Sequence, residues 1–200
     1  MAYANWVTPN KTQGSGNDTV SWTGQTHTGH SSRQTTATFK ATDCNDVILT
    51  INQAGKTEFV DISDTSAVPK TGGSITVTGT ANSSKLTFSL TNNNIGLTLP
   101  SSYVAASVTT NNGASITGDP GATQEYTFSI TFSNIGANAS STAKTSQLVV
   151  TANNGTTDTC TITQAAASPY LTVEPTTINL TAAGTAVSVS VSSNTDWSIV

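Results

Sequence analysis

Two histidines stand close together in the segment Thr26-His27-Thr28-Gly29-His30, and they are the first residues to consider as metal ligands. Imidazole nitrogen binds zinc and other transition metals, and a histidine pair repeated around a trimer axis can surround one ion. A stable site needs three or four ligands, and no third ligand stands near this pair in the sequence. We therefore interpret His27 and His30 as residues of a polar loop and predict no metal site.

The two cysteines, Cys44 and Cys160, are the only thiols that could act as nucleophiles or form a disulfide. Cys44 stands in a turn-like segment between Asp43 and Asp46, and Cys160 alternates with Ile162 as an inward-facing residue would. Neither has a histidine beside it that could activate the thiol. We predict two free, reduced thiols, with Cys160 serving as a small buried hydrophobic residue.

Carboxylates are the next candidates, and those in or beside predicted turns are Asp43, Asp46, Asp61, Asp64, Asp119 and Asp158. The pairs Asp43/Asp46 and Asp61/Asp64 could bind Ca²⁺ weakly between modules, but no dense Asp-x-Asp-x-Asp loop is present. A turn-forming role is the favoured interpretation. No pair stands out as the acid and nucleophile of a glycosidase. We expect no catalytic residue and no cofactor, and therefore a protein that is not an enzyme.

Aromatic side chains could stack on sugars if they were exposed. The residues of this kind are Trp6, Trp22, Trp197, Tyr3, Tyr103 and Tyr170. Trp22 alternates with Val20, which favours a position in a core. The three tyrosines remain glycan-binding candidates without further support from the sequence.

Composition excludes several partners. Charged residues make up 9% of the chain, its net charge is -4 and its isoelectric point is near 4.8. There is no Lys/Arg cluster, so nucleic acid and anionic membranes have no basic surface to bind. No apolar run approaches the ~18 residues that a membrane helix needs. The segment Met1 to Trp6 lacks the basic and apolar regions of a secretory signal, so we expect synthesis without export by that route.

The elements that must position these residues are predicted to be strands. Polar and apolar residues alternate in the segments Ser74–Thr78, Lys85–Leu90, Glu125–Phe132 and Ala186–Val191. A period of two places one row of side chains in the core and the other in water. Turn-forming residues separate these segments, as in Asn111-Asn112-Gly113 and Asn153-Asn154-Gly155. Many short strands with regular turns indicate an all-β sandwich or barrel.

The chain contains an internal repeat. The segment from Arg33 to Gly55 is a predicted hairpin whose last strand ends in Thr-Ile-Asn-Gln-Ala, and the segment from Thr145 to Ala165 is a predicted hairpin that ends in Thr-Ile-Thr-Gln-Ala. We interpret each as the close of one module. This interpretation predicts a partial module at 1–66, a complete module at 67–167 and the start of a further module at 168–200.

Motifs at the two ends of the chain complement each other. The last segment has a proline-containing strand, a glycine turn, an alternating strand and a Ser-Asn-x-x-Trp motif, at Leu171–Pro175, Ala183–Gly184, Val187–Val191 and Ser193–Trp197. The first segment has Trp-x-x-x-Pro, a Gly-x-Gly-Asn turn, an Arg-Thr hairpin strand and a final glutamine strand, at Trp6–Pro9, Gly14–Asn17, Arg33–Phe39 and Ile51–Gln53. In this order the motifs resemble the BACON family of Bacteroidetes-associated immunoglobulin-like modules.

This resemblance implies an all-β chain of tandem immunoglobulin-like sandwich modules, of which the first and the last are incomplete here. It also implies that Trp6 and Trp197 occupy pattern positions that pack inside a module. The middle module departs from the pattern because it lacks tryptophan and has a longer stretch from Pro100 to Gly121. For that module we expect an immunoglobulin-like fold without the family pattern, and we expect the native protein to continue beyond Val200.

The resemblance implies two settings for the protein. One is the virion of crAss-like phages of gut Bacteroidetes, where such modules occur in structural proteins; the other is the bacterial cell surface, as a carbohydrate-binding or spacer module. The missing signal favours the virion, with a head fibre or capsid decoration protein as the expected form. The expected partners are other virion proteins and copies of the same chain, with a trimer favoured, and host glycans as a further target. A neighbouring subunit would complete the half module at 1–66 by strand addition. A third class, an adhesin or pilus-like subunit, would share this physics but should carry an export signal.

Overall fold

The computed structural model describes residues 3–200. It is nearly all β, with 44% of its residues in strands and no α-helix in the described range. The prediction of an all-β chain is therefore confirmed. No helix between residues 3 and 200 is long and apolar enough to cross a membrane.

A two-sheet sandwich occupies the middle of the chain. Its strands are β5 (Val60–Ile62), β6 (Thr65–Val68), β7 (Gly73–Ala81), β8 (Leu86–Thr91), β9 (Ser102–Ala105), β10 (Val108–Asn111), β11 (Tyr126–Ile135), β12 (Lys144–Ala152) and β13 (Thr157–Gln164). One sheet has the order β10-β9-β11-β7-β5 and the other the order β6-β13-β12-β8. All pairings are antiparallel except that of β6 with β13, which is parallel. The boundary predicted between residues 66 and 67 falls inside β6, so the sandwich includes residues that the sequence analysis placed in the first module.

Alternation along the strands explains the sandwich. In β11, Tyr126, Phe128, Ile130 and Phe132 are buried, and the threonines and serine between them face outward. The opposite sheet likewise contributes buried side chains, namely Leu148 and Val150 of β12 and Cys160 and Ile162 of β13. These side chains form one continuous core between the sheets. Burial of such apolar surface is the main favourable term in folding.

Turn chemistry sets where the strands reverse. Gly72 joins β6 to β7 at a φ of 74°, and a Cβ at this position would overlap the carbonyl oxygen of Ile135. Gly155 closes the predicted Asn153-Asn154-Gly155 turn between β12 and β13 at a φ of 89°. Glycine adopts such positive φ values without the steric cost that a side chain brings. The long stretch from Pro100 to Gly121 contains the hairpin of β9 and β10 and leads into a single 3-10 turn at Pro120–Ala122.

Two hairpins precede the sandwich, and we call residues 3–56 the first unit. The strands β1 (Val7–Pro9) and β2 (Trp22–Gly24) form one hairpin, and β3 (Arg33–Phe39) and β4 (Val47–Gln53) form the other. Val7 and Ala37 are its only buried apolar residues in the described range. The two hairpins predicted from the internal repeat are both present, as β3–β4 and as β12–β13.

One hairpin follows the sandwich. It pairs β14 (Leu171–Glu174) with β15 (Ser190–Ser193). The strand predicted at Ala186–Val191 is wrong for its first four residues, because only Ser190 and Val191 lie in β15. Residues 186–189 have no neighbouring strand to pair with in the described chain, so alternation alone does not make them a strand.

Candidate functional site

An open groove of about 770 Å³ lies in the first unit, and we call it the N-terminal groove. It is bounded by β1, β2 and the loop between them on one side and by β3 on the other. Its apolar lining consists of Tyr3, Pro9, Val20, Trp22, Ala37 and Phe39. A groove with this lining can hold an apolar face of a partner or a ligand.

An aromatic pair forms one part of the groove. The rings of Tyr3 and Trp22 meet edge to face at 90°, with their centroids 5.3 Å apart. This arrangement is favourable for aromatic side chains and fixes the orientation of both rings. Phe39 is 43% exposed at the other side of the groove. Trp22 is partly exposed, which differs from the core position that its alternation with Val20 predicted. Four strands in two hairpins provide too little surface to enclose it.

Two ion pairs lie at the rim of the groove. The ammonium of Lys11 is 2.6 Å from Asp18 Oδ1, and that of Lys40 is 2.6 Å from Asp46 Oδ2. The Lys11 ammonium, helped by the backbone N–H of Thr19, holds the pKa of the Asp18 carboxyl below its usual value. The rim is therefore locally neutral, and binding in the groove would depend on apolar contact and hydrogen bonds.

Arg33 ties the two hairpins of the first unit together. Its guanidinium carbon lies 4.5 Å from the centre of the Trp6 ring. Its Nε donates to Gln53 Oε1 at 2.9 Å and its Nη2 donates to the carbonyl of Gln25 at 3.0 Å. Cation–π contact and two charge-assisted hydrogen bonds make Arg33 a packing residue. Trp6 packs against the Arg33 guanidinium and is partly exposed.

The hairpin of β3 and β4 leaves a strand edge and apolar side chains open. In the described chain β4 pairs only with β3, so its other edge has no strand beside it. Val47 is 63% exposed and Ile48 is 66% exposed at the start of β4. Exposed strand edges that carry apolar residues pair readily with another chain. We call β4 with Val47 and Ile48 the open edge.

The two histidines contact different parts of the molecule. His27 Nε2 is 2.7 Å from the carbonyl oxygen of Ser31, and His30 lies between the carboxylates of Glu58 and Asp119. Within residues 3–200 no group of three or more histidine, cysteine, aspartate or glutamate side chains is arranged to hold a metal ion. Local sequence carries no signal for the contacts of His30, because Glu58 and Asp119 are 28 and 89 positions away in the chain.

The aspartates have separate structural roles. Asp43 adopts a φ of 59° in an exposed turn, and Asp46 is engaged by Lys40. Asp158 accepts hydrogen bonds from the backbone N–H groups of Ile62 and Thr159, at 2.7 and 2.8 Å. Asp61 lies within β5 and Asp64 lies between β5 and β6, and both are exposed. Turn and capping roles account for Asp43 and Asp158.

The cysteines are free, as predicted, with Cys44 exposed and Cys160 buried. Burial first, and then the charges of Asp64 and Asp158, raises the pKa of the Cys160 thiol to about 11. The thiolate is the reactive form, so Cys160 is unreactive at neutral pH.

The remaining aromatic candidates divide by exposure. Tyr103 is buried against Phe88, with ring centroids 4.7 Å apart, and burial raises its pKa. It therefore cannot stack on a sugar from solvent. Tyr170 is 49% exposed. The expectation that Trp197 packs is wrong, because 51% of it is exposed. The two-stranded hairpin beside it provides no second layer to cover the ring.

A scan against protein-family models finds no match for the chain. A search of curated proteins likewise finds none that is similar in sequence.

Proposed function

We propose that this protein is a non-enzymatic structural protein of a bacteriophage virion, a head fibre or capsid decoration protein that assembles through its first unit. The observation that supports the proposal is the open edge, where a strand without a neighbour carries two apolar side chains that are 63% and 66% exposed. Water solvates such a surface poorly, and a partner strand would cover it.

Strand addition satisfies both the backbone and the side chains of the open edge. An added strand pairs with the free N–H and C=O groups of β4, and its side chains cover Val47 and Ile48. The same partner can reach Phe39, because Phe39 pairs with Val47 across the hairpin. One partner therefore has a continuous apolar surface available, from the open edge to the N-terminal groove.

The sandwich suits the role of a rigid spacer. Its outward-facing residues in β7 and β11 are mainly threonine and serine, and Thr76 and Thr131 hydrogen-bond across the two strands at 2.9 Å. Cross-strand pairs of this kind stabilise a sheet without adding charge. A weakly charged, well-packed module can project from an assembly without attracting nucleic acid or membrane.

The phage setting is supported by the resemblance of the motifs at both ends of the chain to BACON-type modules. In that setting the partners are other virion proteins and further copies of the chain, in a particle assembled in the cytoplasm of the host.

Carbohydrate binding at the bacterial cell surface is the second candidate function, and the N-terminal groove favours it. Tyr3, Trp22 and Phe39 present partly exposed rings there, and the hydroxyl and carboxylate groups of Thr12 and Asp18 lie beside them. Sugars bind to aromatic rings through their C–H faces and to polar groups through their hydroxyls.

Light scattering coupled to size exclusion distinguishes the two functions. We expect the chain to self-associate, and we expect the double variant V47K/I48K to shift the equilibrium at least tenfold toward the monomer, because the added charges would have to be buried. The matched control is V108K, which makes the same kind of change at an exposed valine of the sandwich.

A monomeric wild-type chain at all concentrations would contradict the structural proposal. Binding to immobilised glycans that is lost in F39A and kept in V47K/I48K would then support the carbohydrate-binding function.

A further inference from the structure

His30 lies at the junction between the first unit and the sandwich, with a carboxylate on each side of its ring. Its Nδ1 is 3.6 Å from Glu58 Oε1, and its Nε2 is 3.5 Å from Asp119 Oδ1. The side chain of His30 is 12% exposed and that of Glu58 is 3% exposed, whereas Asp119 is 42% exposed. The segment 57–59 joins the first unit to β5, and we call it the linker. The imidazole thus connects the loop before β3 to the linker and to the loop before the 3-10 turn.

The linker itself is held firmly by the sandwich. Glu58 Oε1 accepts hydrogen bonds from the N–H and the hydroxyl of Ser84, at 3.2 and 3.1 Å. Asn82 accepts from the N–H of Phe59 at 2.7 Å and donates to the carbonyl of Thr57 at 2.8 Å. Glu58 is therefore a fixed part of the sandwich, and the side chain of His30 contacts it from the first unit.

Both ring nitrogens of His30 face oxygen atoms. Nδ1 faces the carbonyl oxygen of Lys56 at 3.3 Å as well as Glu58, and Nε2 faces Asp119. A neutral imidazole has one N–H, so either tautomer turns a lone pair toward oxygen atoms that can only accept. The imidazolium donates from both nitrogens and removes this conflict.

Buried polar atoms without hydrogen-bond partners cluster at the junction around His30. In the described chain His30 Nε2, Glu58 Oε2 and Asp119 Oδ1 are buried and lack a hydrogen-bond partner. Buried polar atoms without partners are costly, and three of the four such side-chain atoms found here meet at one junction. A proton on the ring would turn the contact between His30 and Asp119 into a charge-assisted hydrogen bond.

We propose that His30 is a pH-sensitive latch between the first unit and the sandwich. The protonated ring bridges Glu58 and Asp119 and fixes the first unit in one orientation. Loss of the proton removes one donor and one charge, and the two units separate at the linker. Acidic conditions therefore hold the first unit in place, and alkaline conditions release it. The latch does not depend on what the first unit binds.

Several other charged or titratable groups surround the ring. Lys56 directs its ammonium to the carbonyl of Gly121 at 3.0 Å, and Tyr126 donates from its hydroxyl to the carbonyl of Ser83 at 2.7 Å. Burial, together with the nearby charges of Tyr103, Asp119 and Glu58, raises the pKa of Tyr126, so this phenol keeps its proton. His27 lies on the same loop as His30. Among side-chain types, imidazole is the one that ordinarily titrates between about pH 5 and 8.

Tryptic cleavage after Lys56 tests the latch in the intact chain. Cleavage requires the Lys56 side chain to leave its contact with Gly121, so its rate reports the opened junction. The rate in H30Q, divided by the wild-type rate at the same pH, cancels the pH dependence of trypsin itself. We expect this ratio to be about tenfold at pH 6 and to approach one at pH 8.5. H27Q is the matched control and should give a ratio near one throughout.

A second variant keeps the test independent of any folding defect in H30Q. D119N retains His30 but replaces one carboxylate by a neutral amide, and it should show the same pH-dependent increase in cleavage, smaller in size. A cleavage ratio that does not change with pH in H30Q and in D119N would overturn the proposal.

Discussion

Cys44 and Cys160 show how position in the fold decides the chemistry of a side chain. Cys44 stands in an exposed turn, and Cys160 stands in the middle of β13, buried in the core between the two sheets. Alternation with Ile162 was enough to predict the burial of Cys160 from the sequence. The rise of its pKa to about 11 comes first from burial and then from the charges of Asp64 and Asp158, which only the folded chain brings near the thiol.

The two thiols should therefore differ sharply toward a thiol-specific reagent at pH 7.5. We expect one thiol per chain to react within seconds to minutes in the native protein, and the second to react only after unfolding. The thiol of Cys160 needs a pH near 11 to ionise, because the buried thiolate is disfavoured. Absorbance titration with Ellman's reagent measures both. The C44S variant is the control and should show no rapid phase; a rapid phase in C44S would contradict the burial of Cys160.

The exposure of Phe132 and Phe39 shows how the surroundings of a strand decide whether its side chains are buried. Phe132 in β11 is 1% exposed in the sandwich core, whereas Phe39 at the end of β3 is 43% exposed at the N-terminal groove. Both residues occupy strands with regular alternation. The difference arises because β11 faces a second sheet and β3 does not.

Truncation of these two residues should have very different effects on stability. We expect F132A to lower the free energy of unfolding of the sandwich by about 3–5 kcal/mol, because it leaves a cavity in a closed core. We expect F39A to change it by less than about 0.5 kcal/mol, as exposed substitutions usually do. Denaturant unfolding followed by circular dichroism measures both values. Equal effects from the two variants would show that β3 is covered in solution.

The sequence predicted the positions of the strands better than it predicted which strands pair with each other. Alternation located β7, β8 and β11, and the repeated Thr-Ile-x-Gln-Ala ending located the hairpins β3–β4 and β12–β13. The strand prediction failed at residues 186–189, where alternation is regular but no partner strand is present. The module boundary predicted at residue 66 falls inside β6, because the parallel pairing of β6 with β13 leaves no local pattern in the sequence. The N-terminal groove and the junction at His30 join residues far apart in the chain, so local periodicity carried no signal for either.

In the whole molecule, a closed sandwich lies between the first unit and the hairpin of β14 and β15. The sandwich contains nearly all of the buried apolar residues, and the units before and after it expose theirs. Such a chain has its closed core in the middle and exposed apolar residues and unpaired strand edges toward its ends. The latch at His30 would set the direction in which the first unit presents its open edge.

Hydrogen–deuterium exchange on β4 tests the proposal that the open edge is where another chain docks. The backbone amides of residues 47–53 should exchange at least tenfold more slowly at a protein concentration where the chain is assembled than where it is monomeric. Amides of β11, which is paired on both sides, should exchange equally slowly at both concentrations and serve as the internal control. Assembly that leaves the exchange of β4 unchanged would contradict the claim and place the interface elsewhere on the molecule.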